Sequence, residues 1–302
     1  MIYTLTLNPA VDLELTSPAL QFNEVNRATA SRKDCGGKGL NVSRMLMNLG
    51  CVSTAMGFTG GKSGEWIASQ MDALGVAVDF TEIAGETRTN VVLVSDEEGS
   101  HIKVNDPGPA ISQAELESLL AKIESKAGPG DWWVLAGSLP PGLGKDVYAR
   151  LTGIIQERGS HVLLDTSGEA LALAAKARPS LVKPNLEEAH ELLGNRDLSA
   201  ADCIRQIGEL GPSKVVISLG KDGVAFSSED GAQRIASPTI TEKNPTGAGD
   251  SLVAGLVFSL SRGDSLAEAV RFGAACGAAT ASLPGTDLGT MEQIEQLLNT
   301  NP

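Results

Sequence analysis

The chain has 302 residues, a formal net charge of -13, and 42% hydrophobic but only 4% aromatic residues. That length suits one large α/β domain or two ordinary ones, and the acidic balance argues against a nucleic-acid partner, which needs basic patches to neutralise phosphates. The start MIYTLTLNPA lacks the basic and long apolar regions of a signal peptide, no apolar run is long enough to span a bilayer, and Cys35, Cys51, Cys203 and Cys276 are too scattered for a disulfide framework, so a cytoplasmic location is expected.

IYTLTLN at the start reads as a strand, and Val11 to Lys33 alternates polar and apolar residues without a strong helix. LNVSRMLMNLG and SGEWIASQMDALG follow as helical patterns, and TRTNVVLVSDEEGSHIKV, Thr87 to Val104, reads as a hairpin around Glu98-Gly99. QAELESLLAKIESKAG is helical, WWVLAG a strand, KDVYARLTGIIQERG a helix and HVLLD a strand. SLVKPN is a strand, LEEAHELLG a helix and KVVISLG a further strand. Most of these strands are near-continuously apolar, as strands buried on both faces are. Their alternation with helices predicts a mostly parallel sheet covered by helices on both faces. The Val11–Lys33 and Thr87–Val104 segments predict a small β-layer beside it, suited to a lid that shuts water out.

The glycine-rich stretches carry the chemistry. Gly57-Phe-Thr-Gly-Gly-Lys62-Ser63 has three residues between its outer glycines where a P-loop requires four, so it reads as a strand-to-helix turn. Gly36-Gly37-Lys38-Gly39-Leu40-Asn41 lacks a Ser or Thr for magnesium, yet it precedes a helix, permits close backbone approach and offers donors from Lys38 and Asn41. In Lys183-Pro-Asn185-Leu-Glu-Glu188, Asn185 and Glu188 fall on one side of a starting helix. They fit a capping box, and equally a carboxylate near hydrated magnesium. Ser218-Leu-Gly220-Lys-Asp-Gly223 follows a strand and either borders a nucleotide or turns a hairpin. In Asn244-Pro-Thr-Gly247-Ala248-Gly249-Asp250, minimal side chains leave backbone N–H groups bare at a helix N-terminus, where anions bind, and place one carboxylate beside them. The histidines His101, His161 and His190 have no zinc-ligand spacing.

TLNPAVD, CGGKGLN, AGSLPPG, KPNLEE, ISLGKDG and NPTGAGDSLVAG occur in this order along essentially the whole chain. The set resembles the ribokinase-like phosphofructokinase-B (PfkB) family of carbohydrate kinases, in its phosphofructokinase and tagatose-6-phosphate kinase branch. The resemblance implies one ribokinase-like α/β kinase domain over residues 1–302, with a discontinuous β lid from about 11–33 and 87–105. It implies Asp250 as general base, with the amides of Gly247, Ala248 and Gly249 as the anion hole. It further implies sugar contacts from Asp12, Gly36, Gly37, Asn41 and Ser138. Phosphate-gripping cations would come from Arg27, Lys38, Arg88 and Lys103. Lys183, Asn185, Ser218, Gly220 and Gly223 would serve ATP, and Glu188 would hold Mg²⁺ through water. Fructose 6-phosphate is the favoured acceptor. The alternatives are fructose 1-phosphate or tagatose 6-phosphate and, in a different class, a non-catalytic sugar-phosphate sensor. A homodimer through the β lid is expected, because pairing would cover the exposed sheet edge.

Overall fold

The apolar runs form the centre of the molecule, as their patterning requires. The computed structural model describes residues 1–97 and 99–300. In chain order the first elements are β1 (Ile2–Thr6), β2 (Ala10–Ser17), β3 (Ala30–Gly36), α1 (Lys38–Asn48), β4 (Thr54–Thr59) and α2 (Gly61–Ala73). There follow β5 (Ala77–Val78), β6 (Thr81–Glu82), β7 (Arg88–Ser95), β8 (His101–Val104), α3 (Gln113–Lys126) and β9 (Trp132–Ala136). Then come α4 (Val147–Glu157), β10 (His161–Asp165), α5 (Gly168–Ala175), β11 (Leu181–Val182), α6 (Leu186–Leu193) and α7 (Ala200–Leu210). The chain ends with β12 (Val216–Ser218), β13 (Val224–Ser228), β14 (Gly231–Ile235), α8 (Ala248–Ser261), α9 (Leu266–Ala281) and α10 (Met291–Thr300).

The main sheet runs β11-β10-β9-β1-β4-β5, with β6 also on β4, and its pairs are parallel. Alternate side chains of these strands feed two separate cores. Leu5, Trp133, Leu135 and Leu164 pack with α3 to α7 on one face; Ile2, Val134 and Leu163 pack with α1, α8, α9 and α10 on the other. Burial of each such side chain stabilises the fold by about 1.5–3 kcal/mol. The expected helices on both faces are therefore present. KVVISLG departs from the expectation in part. Its core, β12, pairs antiparallel with β13 in a three-stranded sheet, and only isolated parallel bridges, Val182 to Val215 and Asn185 to Ser218, join it to the main sheet. The reason is the tight turn at Gly220 to Gly223, which sends the chain straight back along β12.

The expected β-layer is a four-stranded sheet in the order β3-β2-β7-β8. β2 runs antiparallel to β3 and parallel to β7, and β8 returns antiparallel on β7. Glu98, at the expected hairpin turn, lies outside the described residues. The register gives the sheet two unlike faces, because side chains alternate along a strand. Asp12 and Glu14 share rows with Asn90 and Val92, and Lys103 lies opposite Val92. Leu13, Leu15, Val91, Leu93, Ile102 and Val104 make up the other face; most are half-buried and Val104 is 57% exposed.

Among the described residues no helix is long and apolar enough to cross a membrane, and the four cysteines are free thiols.

Candidate active site

Parallel strands deliver their C-terminal ends to one edge of the sheet, where open α/β folds bind ligands. Thr6 ends β1, Ala136 ends β9 just before Ser138, Asp165 ends β10, and Lys183 follows β11. α8 starts against the same edge. Gly247, at φ 80°, adopts the left-handed conformation that turns the chain into the helix, and Asp250 is its third residue. Of the three amides implied to face an anion, that of Ala248 donates to the Pro245 carbonyl at 3.1 Å, inside the turn. Among the described residues no acceptor takes the amides of Gly247 and Gly249.

Asp250 is 8% exposed. Its Oδ2 accepts a hydrogen bond from Asn41 Nδ2 at 2.8 Å, and Asn41 Oδ1 accepts from Arg44 Nη1 at 3.2 Å. Burial raises the Asp250 carboxyl to about 6, and the nearby Asp165 adds to the rise, while Asn41, Lys38 and Lys183 oppose it. Asp165 is 1% exposed, and its Oδ1 meets Lys38 Nζ at 3.0 Å and Lys183 Nζ at 3.3 Å. Its Oδ2 is buried and has no hydrogen-bond partner among the described residues. Burial would push this carboxyl up, but the two ammonium groups outweigh burial and hold it below the usual range. Burial likewise pulls Lys38 down, and Asp165, Glu188 and Asp250 more than reverse the effect. Two cations and two carboxylates are thus gathered together, one carboxylate held below the usual range and the other raised to about 6. That arrangement suits transfer of an anionic group to a hydroxyl that loses its proton.

The Lys38 ammonium therefore sits with Asp165 and Asp250 at the sheet edge. Sequence reasoning had grouped it with Arg27, Arg88 and Lys103 as a grip on the sugar's phosphate. Asp12 accepts from Asn90 Nδ2 at 2.7 Å, and a Cβ on Gly36 would collide with its carboxylate, so a glycine is needed beside it. Gly37, at φ 139°, supplies the turn into α1. Arg88 Nε and Nη2 donate to the Asn8 carbonyl at 3.2 and 2.8 Å, and Nη1 donates to the Asp106 carbonyl at 2.7 Å. Arg27, Lys103 and Ser138 are exposed.

On the far side of Lys183, Asn185 and Glu188 form the anticipated capping box. Asn185 Oδ1 accepts from Glu188 N, and Glu188 Oε2 accepts from Asn185 N, each at 2.8 Å. Asn185, Ser218, Gly220 and Arg234 line a cavity of about 420 Å³. Gly223 has a turn-forming role, since its φ is 100° and a Cβ would collide with the Ile235 carbonyl. A larger cavity, about 580 Å³, lies between α8, α9 and α10 beside Phe258 and Phe272. It is at the opposite end of α8 from Asp250 and holds none of these groups.

Sequence reasoning missed Asp165, Asn90 and Arg44. Asp165 had a signal: a lone acid closing the apolar strand HVLLD, at the strand end where ligands bind. Asn90 had none, because its partner Asp12 lies 78 positions away, whereas Arg44 had one in its i,i+3 spacing from Asn41 along α1.

A parallel sheet with a lysine-paired carboxylate, a second buried carboxylate at a helix start and an adjoining cavity is an arrangement that suits phosphoryl transfer. The sequence matches the pfkB family carbohydrate kinase pattern over residues 5–293, and the chain belongs to that family; it is an ATP-dependent sugar kinase. It is 36% identical over 301 residues to a 1-phosphofructokinase of Bacillus subtilis (strain 168), covering 99% of this chain and 97% of that one. It superposes on phosphofructokinase-2 from Escherichia coli in complex with potassium with a TM-score of 0.94 at 31% identity, covering 99% and 98% of the two chains. Arabidopsis thaliana ribokinase, at 20% identity, TM-score 0.79 and 98% coverage of both chains, shares the fold. The architecture is therefore ribokinase-like, as the motifs implied.

Proposed function

We propose that this kinase transfers the γ-phosphoryl group of MgATP to the open hydroxymethyl oxygen of a fructose phosphate, giving fructose 1,6-bisphosphate, ADP and a proton. The observation that carries the reading is the buried Asp250 carboxylate, oriented by Asn41 at 2.8 Å beside the amides of Gly247 and Gly249. Asp250 takes the hydroxyl proton as the O–P bond forms and the bond to ADP breaks. The transferring group is loose and strongly charged, so positioning and electrostatics supply most of the rate. Lys38 and Lys183 meet that charge, and the two amides receive part of it. Asp12, with Gly36, Gly37, Asn41 and Ser138, holds the sugar; Arg27, Arg88 and Lys103 are the candidates for its own phosphate. Arg88 retains donors beyond the three on Asn8 and Asp106. ATP lies along Lys183, Asn185, Ser218 and Gly220. Gly223 borders this site through the turn.

Among the described residues no cluster of three or more His, Cys, Asp or Glu side chains could hold a metal alone. Magnesium fits that lack, because it keeps waters and takes one or two carboxylates plus phosphates. The partnerless Asp165 Oδ2 and the second oxygen of Glu188 would hold it, and it would neutralise phosphate charge.

Fructose 6-phosphate is the acceptor read from the motifs. The higher identity to a named 1-phosphofructokinase, 36% against 31% for phosphofructokinase-2, supports fructose 1-phosphate as a second acceptor. Side-by-side kcat/KM for fructose 6-phosphate, fructose 1-phosphate and tagatose 6-phosphate decides between them. Asp250→Asn is expected to lower kcat by about 10²–10⁴-fold while MgATP binding persists in calorimetry. Turnover near the wild-type rate would refute the base assignment, and no ADP release with any ketohexose phosphate would leave a sensor. We further propose one kinase domain over 1–302, a lid at about 11–33 and 87–105, and a homodimer formed through that lid.

A further inference from the structure

Three elements far apart in sequence meet at the loop between α9 and α10. From the lid, Arg32 of β3 donates through Nη2 to Thr286 Oγ1 at 2.8 Å and pairs with Asp287 Oδ1 at 3.3 Å. Its Nε is held by Asp34 Oδ2 at 2.8 Å. Gly285 lets the guanidinium lie against the loop, since a Cβ there would strike Arg32 Nη1. From α1, Arg44 Nη2 donates to the Thr286 carbonyl at 3.4 Å. From the turn ahead of α8, Asn244 Nδ2 donates to the Gly285 carbonyl at 2.8 Å. The other arm of Arg44 goes to Asn41, and Asn41 goes to Asp250.

The chemistry of the middle link is selective. An amide side chain can turn either its oxygen or its nitrogen toward a neighbour, whereas a guanidinium only donates. Arg44 therefore holds Asn41 Oδ1 toward itself and leaves Nδ2 facing the Asp250 carboxylate. With Arg44 gone, only Asp250 itself selects Nδ2, and Asn41 is free to swing away from it. Arg44 has a fork of donors and uses one prong on Asn41 and another on the loop that the lid clasps.

We infer that Arg44 is a positioning residue joining lid to base: Arg32 clasps Thr286–Asp287 when the lid lies over the site, and Arg44 carries that contact through Asn41 to Asp250. The inference rests on Asp250 being the base. Its consequence is that the base is fully oriented only with the lid latched, which protects ATP from water when no sugar is covered.

Steady-state kinetics with MgATP and both fructose phosphates test it in the full chain. Arg44→Ala is expected to lower kcat by about 10- to 100-fold, the range of one charge-assisted hydrogen bond, with KM for MgATP unchanged. Arg44→Lys recovers part of the loss, because an ammonium one turn along α1 still reaches Asn41. Arg32→Ala lowers kcat several-fold in the wild-type background and has no further effect in the Arg44→Ala background. Arg32 is 41% exposed at the surface, so its removal leaves the core intact. Should Arg44→Ala fail to fold, the same cycle is run with Arg44→Lys, where the Arg32 effect shrinks. Losses that multiply independently, an unchanged kcat in Arg44→Ala, or an Arg32→Ala effect confined to sugar KM would each overturn the relay. Asp250→Asn measured alongside separates the two readings. If it retains turnover the base assignment fails; if it is inactive while Arg44→Ala is unimpaired, the relay alone fails.

Discussion

Asp250, the proposed base, sits in surroundings that disfavour its charge. Burial and Asp165 lift its carboxyl to about 6, so it is ionised at neutral pH with little to spare. Below that value the carboxyl is protonated and cannot accept the sugar proton. A pH profile of kcat/KM should therefore fall on its acid side near pH 6 and level above it. Because Lys38 opposes the rise, Lys38→Met should move that limb to higher pH; a limb that stays put would remove Lys38 from the field at Asp250. The same shift has a stability side. A carboxyl raised from 3.8 to about 6 binds protons more tightly folded than unfolded. Folding stability is thus lost as pH rises through that window and stays lower above it. Asp250→Asn should consequently melt higher than wild type at pH 8 while losing activity, the trade-off usual for a strained site.

At the scale of elements, α8 matters because it carries Asp250 at one end and packs along α9 on its side. The two helices approach through Gly255 and Gly273: a Cβ on Gly255 would lie 2.6 Å from Gly273 Cα. Gly255→Ala gains about 0.5–1 kcal/mol of helix propensity but forces the helices apart, and overpacking of this kind costs about 1–3 kcal/mol. A lower melting temperature is expected, and an unchanged one would mean the pair can separate freely. This contact was not legible in the sequence, where GDSLVAGLVFSL shows a helix but not its neighbour. The capping box of α6 was legible, since Asn185 and Glu188 are local. So were the strands of the main sheet, whose apolar runs announce burial on both faces. β12 was read as one of them because periodicity does not reveal which strand lies beside which. Asp250, Asn41 and Lys183 stood out as motif residues. Asp165 joins Lys38 across 127 positions, a pairing only the fold creates.

At the scale of the whole molecule, the small sheet turns its polar rows one way and an apolar face the other. Leu13, Leu15, Val91, Leu93 and Ile102 are only half-buried within one chain. A second copy laid on this face would cover them and protect the sheet edge, which is the basis for the proposed dimer. Light scattering on the purified chain is expected to give twice the monomer mass, and Leu15→Glu or Leu93→Glu to give the monomer. A wild-type chain already monomeric at assay concentrations would exclude this assembly.

The knot at Asn8 has a mechanical consequence. The Asn8 carbonyl and amide hold Arg88 and the Pro107 carbonyl, and Arg88 also holds Asp106. The points where β2 and β7 begin, and where the chain leaves β8, are therefore stitched to a single spot. For the proposed lid, such a fastening favours movement as one plate over peeling strand by strand, with the hydrogen-bond register kept.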